Sequence, residues 1–228
     1  MSFARQVLVV ALKDLRAELR TKEAINASFA FALVVLLLFS FAFDPEAETT
    51  REISGGLLWI VFAFAGTLVL NRSFARELPN DCLDALVAAP ISGAALFLGK
   101  AFANFVLVMA MELVSLPVFC IFNNVGTPVS KQLGPILLVM MLGTWGLTVI
   151  GTIFSALTVN IRLREVMLPM LTYPILVPAL MGAMLITKGL VLGHPLSGDL
   201  VTWLKMLMGF DLIYTAVSLV LVETVLVG

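Results

Sequence analysis

The chain has 228 residues, of which 61% are hydrophobic and only 13% are charged, with a formal net charge of −1 and a mean hydropathy of +1.07. Soluble domains carry about 25% charged residues, so this composition excludes an ordinary soluble enzyme or a basic nucleic-acid-binding domain. Most residues are committed to spanning a bilayer, and little is left for a nucleotide site. Any energy-requiring work must therefore draw its energy from a partner.

The first 23 residues differ from the rest of the chain. Apolar residues recur at spacings of three and four and form one stripe: Phe3, Val7, Val10, Ala11, Leu15 and Leu19. The basic residues of this segment lie on the other helical faces. This pattern predicts an amphipathic helix over 1–23 that lies in the plane of the membrane interface with its stripe toward lipid. The alternative is a simple positively charged anchor for the first span.

Six apolar blocks follow, each close to the roughly 20 residues that a membrane-spanning helix needs. The first block is longer than the apolar core of a signal peptide, about 7–15 residues, so we expect it to be retained. The sequence thus predicts an all-α membrane protein with one domain over 1–228 and spans at 24–43, 55–71, 101–122, 133–159, 166–187 and 204–227.

The basic residues predict the orientation of these spans, because lysine and arginine concentrate on the cytoplasmic side of a membrane protein. Four of the fourteen basic residues fall in segments of the opposite side. The other ten lie in alternate segments: Arg5, Lys13, Arg16, Arg20, Lys22, Arg72, Arg76, Lys100, Arg162 and Arg164. We therefore expect a multi-pass protein with both termini in the cytoplasm.

The connector between the second and third spans carries the most specific pattern, over residues 76–92. Asp81 is suited to begin a helix, Pro90 ends it because the residue before a proline avoids helical backbone, and Ser92 is placed to cap the third span. The product is a short helix with an apolar ridge, which favours docking into a groove on another protein. The candidate docking residues are Glu77, Asp81, Leu83, Asp84, Leu86, Val87 and Pro90.

Polar residues inside the spans form a second candidate site. Glu112 lies midway along the third span, where a charge costs about 2.5–3.5 kcal/mol; it must be protonated, paired or directed into the protein. The fourth span carries Thr144, Thr148 and Thr152 on one face. Helix–helix contact through hydroxyl groups explains these residues, and a substrate path or a dimer interface is the alternative. Lys100 is expected to extend to water at the cytoplasmic interface.

The connector pattern resembles a known family. An acidic residue, a short leucine-containing helix, the Pro90-to-Ser92 stretch and the Gly99–Lys100 pair that leads into the third span are similar to the coupling segment of type-2 ABC-transporter permeases. Within that superfamily the chain resembles the haem exporter B subunit of cytochrome c maturation, the CcmB family. The stretches that carry this closer resemblance are 13–23, 142–159 and 166–180.

The resemblance implies a type-2 ABC permease fold and a subunit without catalytic residues of its own or a metal site. A partner ATP-binding subunit would hydrolyse ATP, and its movement would drive haem export or the release of a haem-loaded periplasmic chaperone. The implied partners also include a haem-handling membrane subunit and a small accessory subunit, with two permease copies per complex in the bacterial inner membrane. The alternative is a type-2 ABC exporter permease for an unrelated cargo, such as a lipid-linked glycan or a drug.

His194 is the single histidine of the chain, in an outer segment that we expect to cover 188–203. Histidine is a common axial ligand of haem iron, which makes His194 a candidate haem contact. A lone histidine in a polar loop is more often a solvated side chain. The sequence motif for covalent haem attachment, C-x-x-C-H, is absent from the chain.

Overall fold

The structure, a computed structural model, describes residues 2–44, 47–78, 86 and 90–227. Their regular structure is helical, and six helices are long and apolar enough to cross a membrane. The all-α membrane fold with six spans is thereby confirmed. In chain order the α-helices are α1 (Phe3–Thr21), α2 (Glu23–Ala42), α3 (Glu48–Leu70), α4 (Gly93–Phe122), α5 (Gly126–Lys131), α6 (Leu133–Thr158), α7 (Arg164–Val191) and α8 (Asp199–Val227).

The spans alternate in direction, so α1, the described residues 71–78 and 90–92 of the connector between α3 and α4, the loop 159–163 and the described end of α8 lie at one end of the bundle. We call this end the terminal face. Its connector begins with a 3₁₀ turn, Ala75–Glu77. Phe74 in that connector is fully buried and belongs to a small apolar cluster with Ala156 and Val159, to which Val225 near the chain end also packs. The predicted cap at Ser92 is confirmed, since its Oγ accepts a hydrogen bond from the Ala95 backbone N–H at 3.2 Å.

Part of the predicted apolar stripe of the N-terminal helix packs on protein and not on lipid. Val10 and Ala11 are each only 2% exposed, because α1 crosses α4 at Gly99. A Cβ at Gly99 would lie 2.6 Å from the Val10 Cβ, so only glycine permits this close crossing. The predicted orientation of the stripe is wrong in this respect. Leu8, which is 54% exposed, instead belongs to the apolar surface that α1 leaves uncovered.

The main core lies where α3 meets α6 and α7. Trp59 is 1% exposed and donates its indole N–H to Thr187 Oγ1 at 2.9 Å. The opposing surface must be flat, since a Cβ at Gly143 would lie 2.2 Å from the Trp59 ring. Small residues that let helix backbones approach closely are a common device of membrane proteins. The bundle therefore depends on glycine at its helix crossings.

The last two spans are longer than predicted. Three prolines, at 169, 174 and 178, predict a kinked or broken fifth span; the helix is not broken, because α7 continues from Arg164 to Val191. Each proline removes only one backbone donor, and the remaining helical bonds together with contacts such as Tyr173 to Thr67, 2.8 Å between hydroxyl oxygens, hold the helix. The outer segment predicted over 188–203 is accordingly shorter: α8 begins at Asp199, and 192–198 form the loop.

Replacing Gly99 by alanine should destabilise the protein, because the added Cβ meets Val10 and the Val7 carbonyl. Overpacking of this kind costs about 1–3 kcal/mol in the free energy of unfolding. The matched control is Gly209→Ala in α8, where a Cβ meets no atom within 4 Å among the described residues, and where alanine should be neutral or stabilising by up to about 1 kcal/mol. Thermal unfolding in detergent compares the two; equal midpoints would contradict the close crossing.

Candidate functional site

An ionic cluster at the terminal face is centred on Lys100. Its side chain is 0% exposed, and its ammonium group donates to Asp14 Oδ2 at 3.0 Å, the Ser73 carbonyl at 2.9 Å and Glu77 Oε1 at 3.0 Å. The same ammonium lies 4.8 Å from the centre of the Phe74 ring. Its three N–H donors thus bind α1 through Asp14 and the connector through Ser73 and Glu77. The expectation that Lys100 extends to water is wrong, because these acceptors replace water.

Lys13 extends the cluster toward solvent. It pairs with Asp14 at 3.0 Å and also with Glu77. Burial lowers the pKa of Lys13, but the neighbouring carboxylates Asp14 and Glu77 outweigh this effect and raise the pKa above its ordinary value of 10.5. A group with a raised pKa stabilises the fold fully below its ordinary pKa and loses this contribution as the pH rises through the raised value. Lys13 therefore carries its charge at neutral pH and remains available to both carboxylates.

Glu18 joins the end of α1 to both the first span and the connector. Its buried carboxylate accepts hydrogen bonds from the backbone N–H groups of Ala24 and Ile25, at 2.8 and 3.0 Å. These are unpaired donors at the start of α2, where a negative charge also meets the positive end of the helix dipole. The other carboxylate oxygen pairs with Arg76. Lys22, with φ 56°, forms the turn between α1 and α2.

A polar stripe on α4 continues from Lys100 into the bundle. Asn104, one turn further along, donates to Ser73 Oγ and to Thr152 Oγ1, both at 2.9 Å. Ser155 on α6 donates to the Leu70 carbonyl at the end of α3 at 2.9 Å. The connector is consequently held at its first residues by α4 and α6 as well as by α1.

Glu112 lies on the same side of α4, deeper in the bundle. It is fully buried and accepts a hydrogen bond from Thr144 Oγ1 at 2.6 Å. Thr148 is bonded within its own helix, to the carbonyls of Thr144 and Trp145, and Thr152 is bonded to Asn104. The structure therefore brings Glu112 and Thr144 together and separates Thr148 from them, in an arrangement of hydrogen bonds between α4 and α6.

The predicted docking residues are covered unevenly by the structure. Glu77 belongs to the ionic cluster, Leu86 is helical and half-buried, and Pro90 is exposed. Asp81, Leu83, Asp84 and Val87 lie outside the described residues. His194 is exposed in the loop 192–198, at the end of the bundle opposite the terminal face and far in the fold from the cluster.

A cavity of about 580 Å³ lies beside the connector, lined by Leu78 and by residues 159–166. Leu163 in the loop and Val166 in the first turn of α7 are 68% and 62% exposed. In the sequence, this loop was recognised only by its charged residues Arg162 and Arg164. The apolar Leu163 between them is the one further signal that this loop contributes to the surface of the terminal face.

Comparison with known proteins shows the family to which this chain belongs. The model of a family described as CcmB protein matches residues 5–224. The chain belongs to the CcmB family. Members with the name Heme exporter protein B include that of Rhodobacter capsulatus, 34% identical over 78% of this chain and 80% of the relative, and that of Paracoccus denitrificans, 30% identical over 82% and 84%. A Pseudomonas aeruginosa relative is 30% identical over 86% of both chains.

In this CcmB-family chain, Lys100→Met should destabilise the terminal face, because it leaves Asp14 and Glu77 short of a cation in a partly dry site. Removal of one partner from a buried ion pair costs about 3–5 kcal/mol. The control is Lys188→Met, which removes an exposed pair with Glu52 at 3.3 Å and should cost no more than about 1 kcal/mol. Thermal unfolding in detergent measures both. A Lys100 variant that melts like the Lys188 variant would show that the cluster contributes little.

Proposed function

We propose that this protein is the haem-export permease subunit of an ABC-type complex that serves cytochrome c maturation. The family match and the name shared by its relatives, Heme exporter protein B, carry this proposal. The six membrane-spanning helices support a membrane subunit, and in this proposal a partner subunit hydrolyses the ATP.

The proposed point of contact with the ATP-binding subunit is the segment 76–92. Its apolar side chains would dock into a groove of that subunit, with acidic flanks at Glu77 and Asp81. The cluster around Lys100 supports this role. A displacement of the segment reaches Glu77 first, and Glu77 is bonded to the same ammonium group as Asp14 of α1. The connector, α1 and the start of α4 would therefore move as one unit.

The movement would be transmitted to the other side of the membrane by α3, which precedes the connector in the chain, and by α4, which follows it. Partners implied for that side are a haem-handling membrane subunit, a small accessory subunit and a periplasmic haem chaperone. Two permease copies per complex would give the two ATP-binding subunits equivalent contacts. No axial haem ligation is assigned to His194, whose loop is exposed; in this proposal haem is held by partner subunits.

The proposed orientation places the terminal face in the cytoplasm and the protein in the bacterial inner membrane. Ten of the fourteen basic residues belong to α1 and the turn after it, the connector, the start of α4, the loop before α7 and the first residue of α7, which all lie at the terminal face. An excess of lysine and arginine marks cytoplasmic segments. This orientation exposes the segment 76–92 to a soluble ATP-binding subunit, as the docking role requires.

Replacement of Leu83 and Leu86 together by glutamate should release the ATP-binding subunit, because charges on the ridge cannot enter an apolar groove without a large loss of solvation. A matched control is Leu133→Glu, an exposed leucine at the opposite end of the bundle, which should retain the partner. The measurement is co-purification of the ATP-binding subunit with the tagged permease, together with the level of c-type cytochromes in a deletion strain that expresses each variant.

The double variant should give little partner and little cytochrome c, while Leu133→Glu restores both. Retention of the partner by the double variant would refute the docking role alone. Normal cytochrome c assembly in the deletion strain without any permease would refute the haem-export function and favour another cargo.

A further inference from the structure

Asp211 is an intramembrane carboxylate that no interaction in the described bundle explains. It lies near the middle of α8 and is 5% exposed. Neither of its carboxylate oxygens has a hydrogen-bond partner among residues 2–44, 47–78, 86 and 90–227. A buried polar group without a partner is costly, and polar residues within a membrane span usually face a partner or a functional site.

The neighbouring helix is shaped around this carboxylate. A Cβ at Gly146 on α6 would lie 2.7 Å from Asp211 Oδ1, so glycine allows α8 to approach closely here. Trp145 lines the same groove as Asp211, but its indole N–H is donated to Thr215 Oγ1 at 3.1 Å. The fold thus accommodates the carboxylate without supplying a donor to it.

Asp211 lines a groove of about 440 Å³ between α6 and α8. On α8 the groove follows one helical face from Met208 to Leu219, which corresponds to about 16 Å or three turns. Its other walls are mainly apolar, with Leu142 and Leu212 among them. A long apolar groove of this kind matches the side of a helix, and the single carboxylate at its centre requires a hydrogen-bond donor.

We propose that this groove receives a transmembrane helix of another polypeptide, which carries a hydrogen-bond donor side chain at the level of Asp211. Polar side chains that bond across helices stabilise association within a membrane. The donor would form a hydrogen bond to the unpartnered carboxylate of Asp211, and the apolar walls would contact the rest of the incoming helix. This inference holds whichever cargo the complex transports, because it depends only on the membrane location of α8.

A second copy of this chain fits the groove less well. A two-fold contact places the same patch on both sides of an interface, so it would bring a second Asp211 to the groove, while the Trp145 N–H of that patch is already donated to Thr215 Oγ1. Leu212 and Ile213, next to Asp211 along the chain, are 72% and 60% exposed and offer no donor. Two carboxylates facing each other would oppose each other's ionisation. The structure therefore favours a different polypeptide.

The test uses a photo-crosslinking amino acid in the assembled complex in native membranes. It is placed at Leu212 or Leu219 in the groove and, as controls, at Ile213 or Val220, which are exposed on α8 but do not line the groove. The groove positions should capture one membrane polypeptide, and sequencing of the crosslinked peptide should place the contact in a transmembrane segment with a donor side chain within one turn.

The same crosslinking experiment in chains with a substitution at Asp211 then measures the contribution of the carboxylate. Asp211→Leu should lower the adduct yield at the groove by about tenfold, the value of one interhelical hydrogen bond in a membrane, while Asp211→Asn should retain most of it. The Asp211→Leu chain should fold, because the substitution removes a polar group that has no partner.

If the Asp211→Leu chain fails to fold, replacement of the partner's donor by an apolar residue tests the same contact and should lower the adduct yield equally. Equal yields at groove and control positions, adducts with lipid or with a second copy alone, or a yield unaffected by these substitutions would overturn the proposal.

Discussion

The burial of one ammonium group constrains the terminal face. Lys100 lies at the start of a membrane-spanning helix, cannot reach water, and must satisfy three N–H donors within the protein. Its acceptors come from α1 and from the connector, so a separation of the two segments would take at least one carboxylate away from this buried ammonium group. Because that state is expensive, α1, the connector and the start of α4 are expected to behave as one unit.

This constraint gives the N-terminal helix a role other than attachment to the membrane. Glu18 at its end holds the start of α2 through two backbone N–H groups and the connector through Arg76. Displacement of the connector would therefore be transferred to the first span as well as to α3 and α4. The close crossing at Gly99 adds a contact between helix surfaces to these ionic bonds, and such contacts resist sliding.

Along the chain, the predicted and observed structures agree where a property depends on neighbouring residues. Each predicted span overlaps one observed helix, because transfer of about 20 apolar residues into lipid is decided by local composition. The cap at Ser92 is equally local. The span ends were less well predicted: α4 begins at Gly93 rather than near 101, and α7 ends at Val191 rather than near 187, since a helix continues past the bilayer where it packs on protein.

The candidate site depended instead on contacts between distant residues. Lys100 and Asp14 are 86 positions apart, and neither spacing nor hydrophobicity indicates that they meet. Asn104 carried a weak signal that was not used, as it shares a helical face with Lys100 and, two turns on, with Glu112. Glu18 carried no local signal, because its significance comes from the backbone groups that surround it. Asp211 carried the general signal of a carboxylate within a span, but the groove around it is formed by residues of two helices. The docking ridge at Leu83 stays a prediction.

The most direct test of the account is the distance between α1 and the connector during the ATP cycle. Spin labels at Arg16→Cys on α1 and Ala75→Cys in the connector, in a chain whose two native cysteines are replaced by serine, would report this distance in the assembled complex with and without a non-hydrolysable ATP analogue. The account predicts that the distance between these labels stays constant while distances from either label to α8 change. A change of several ångström between the two labels would contradict it.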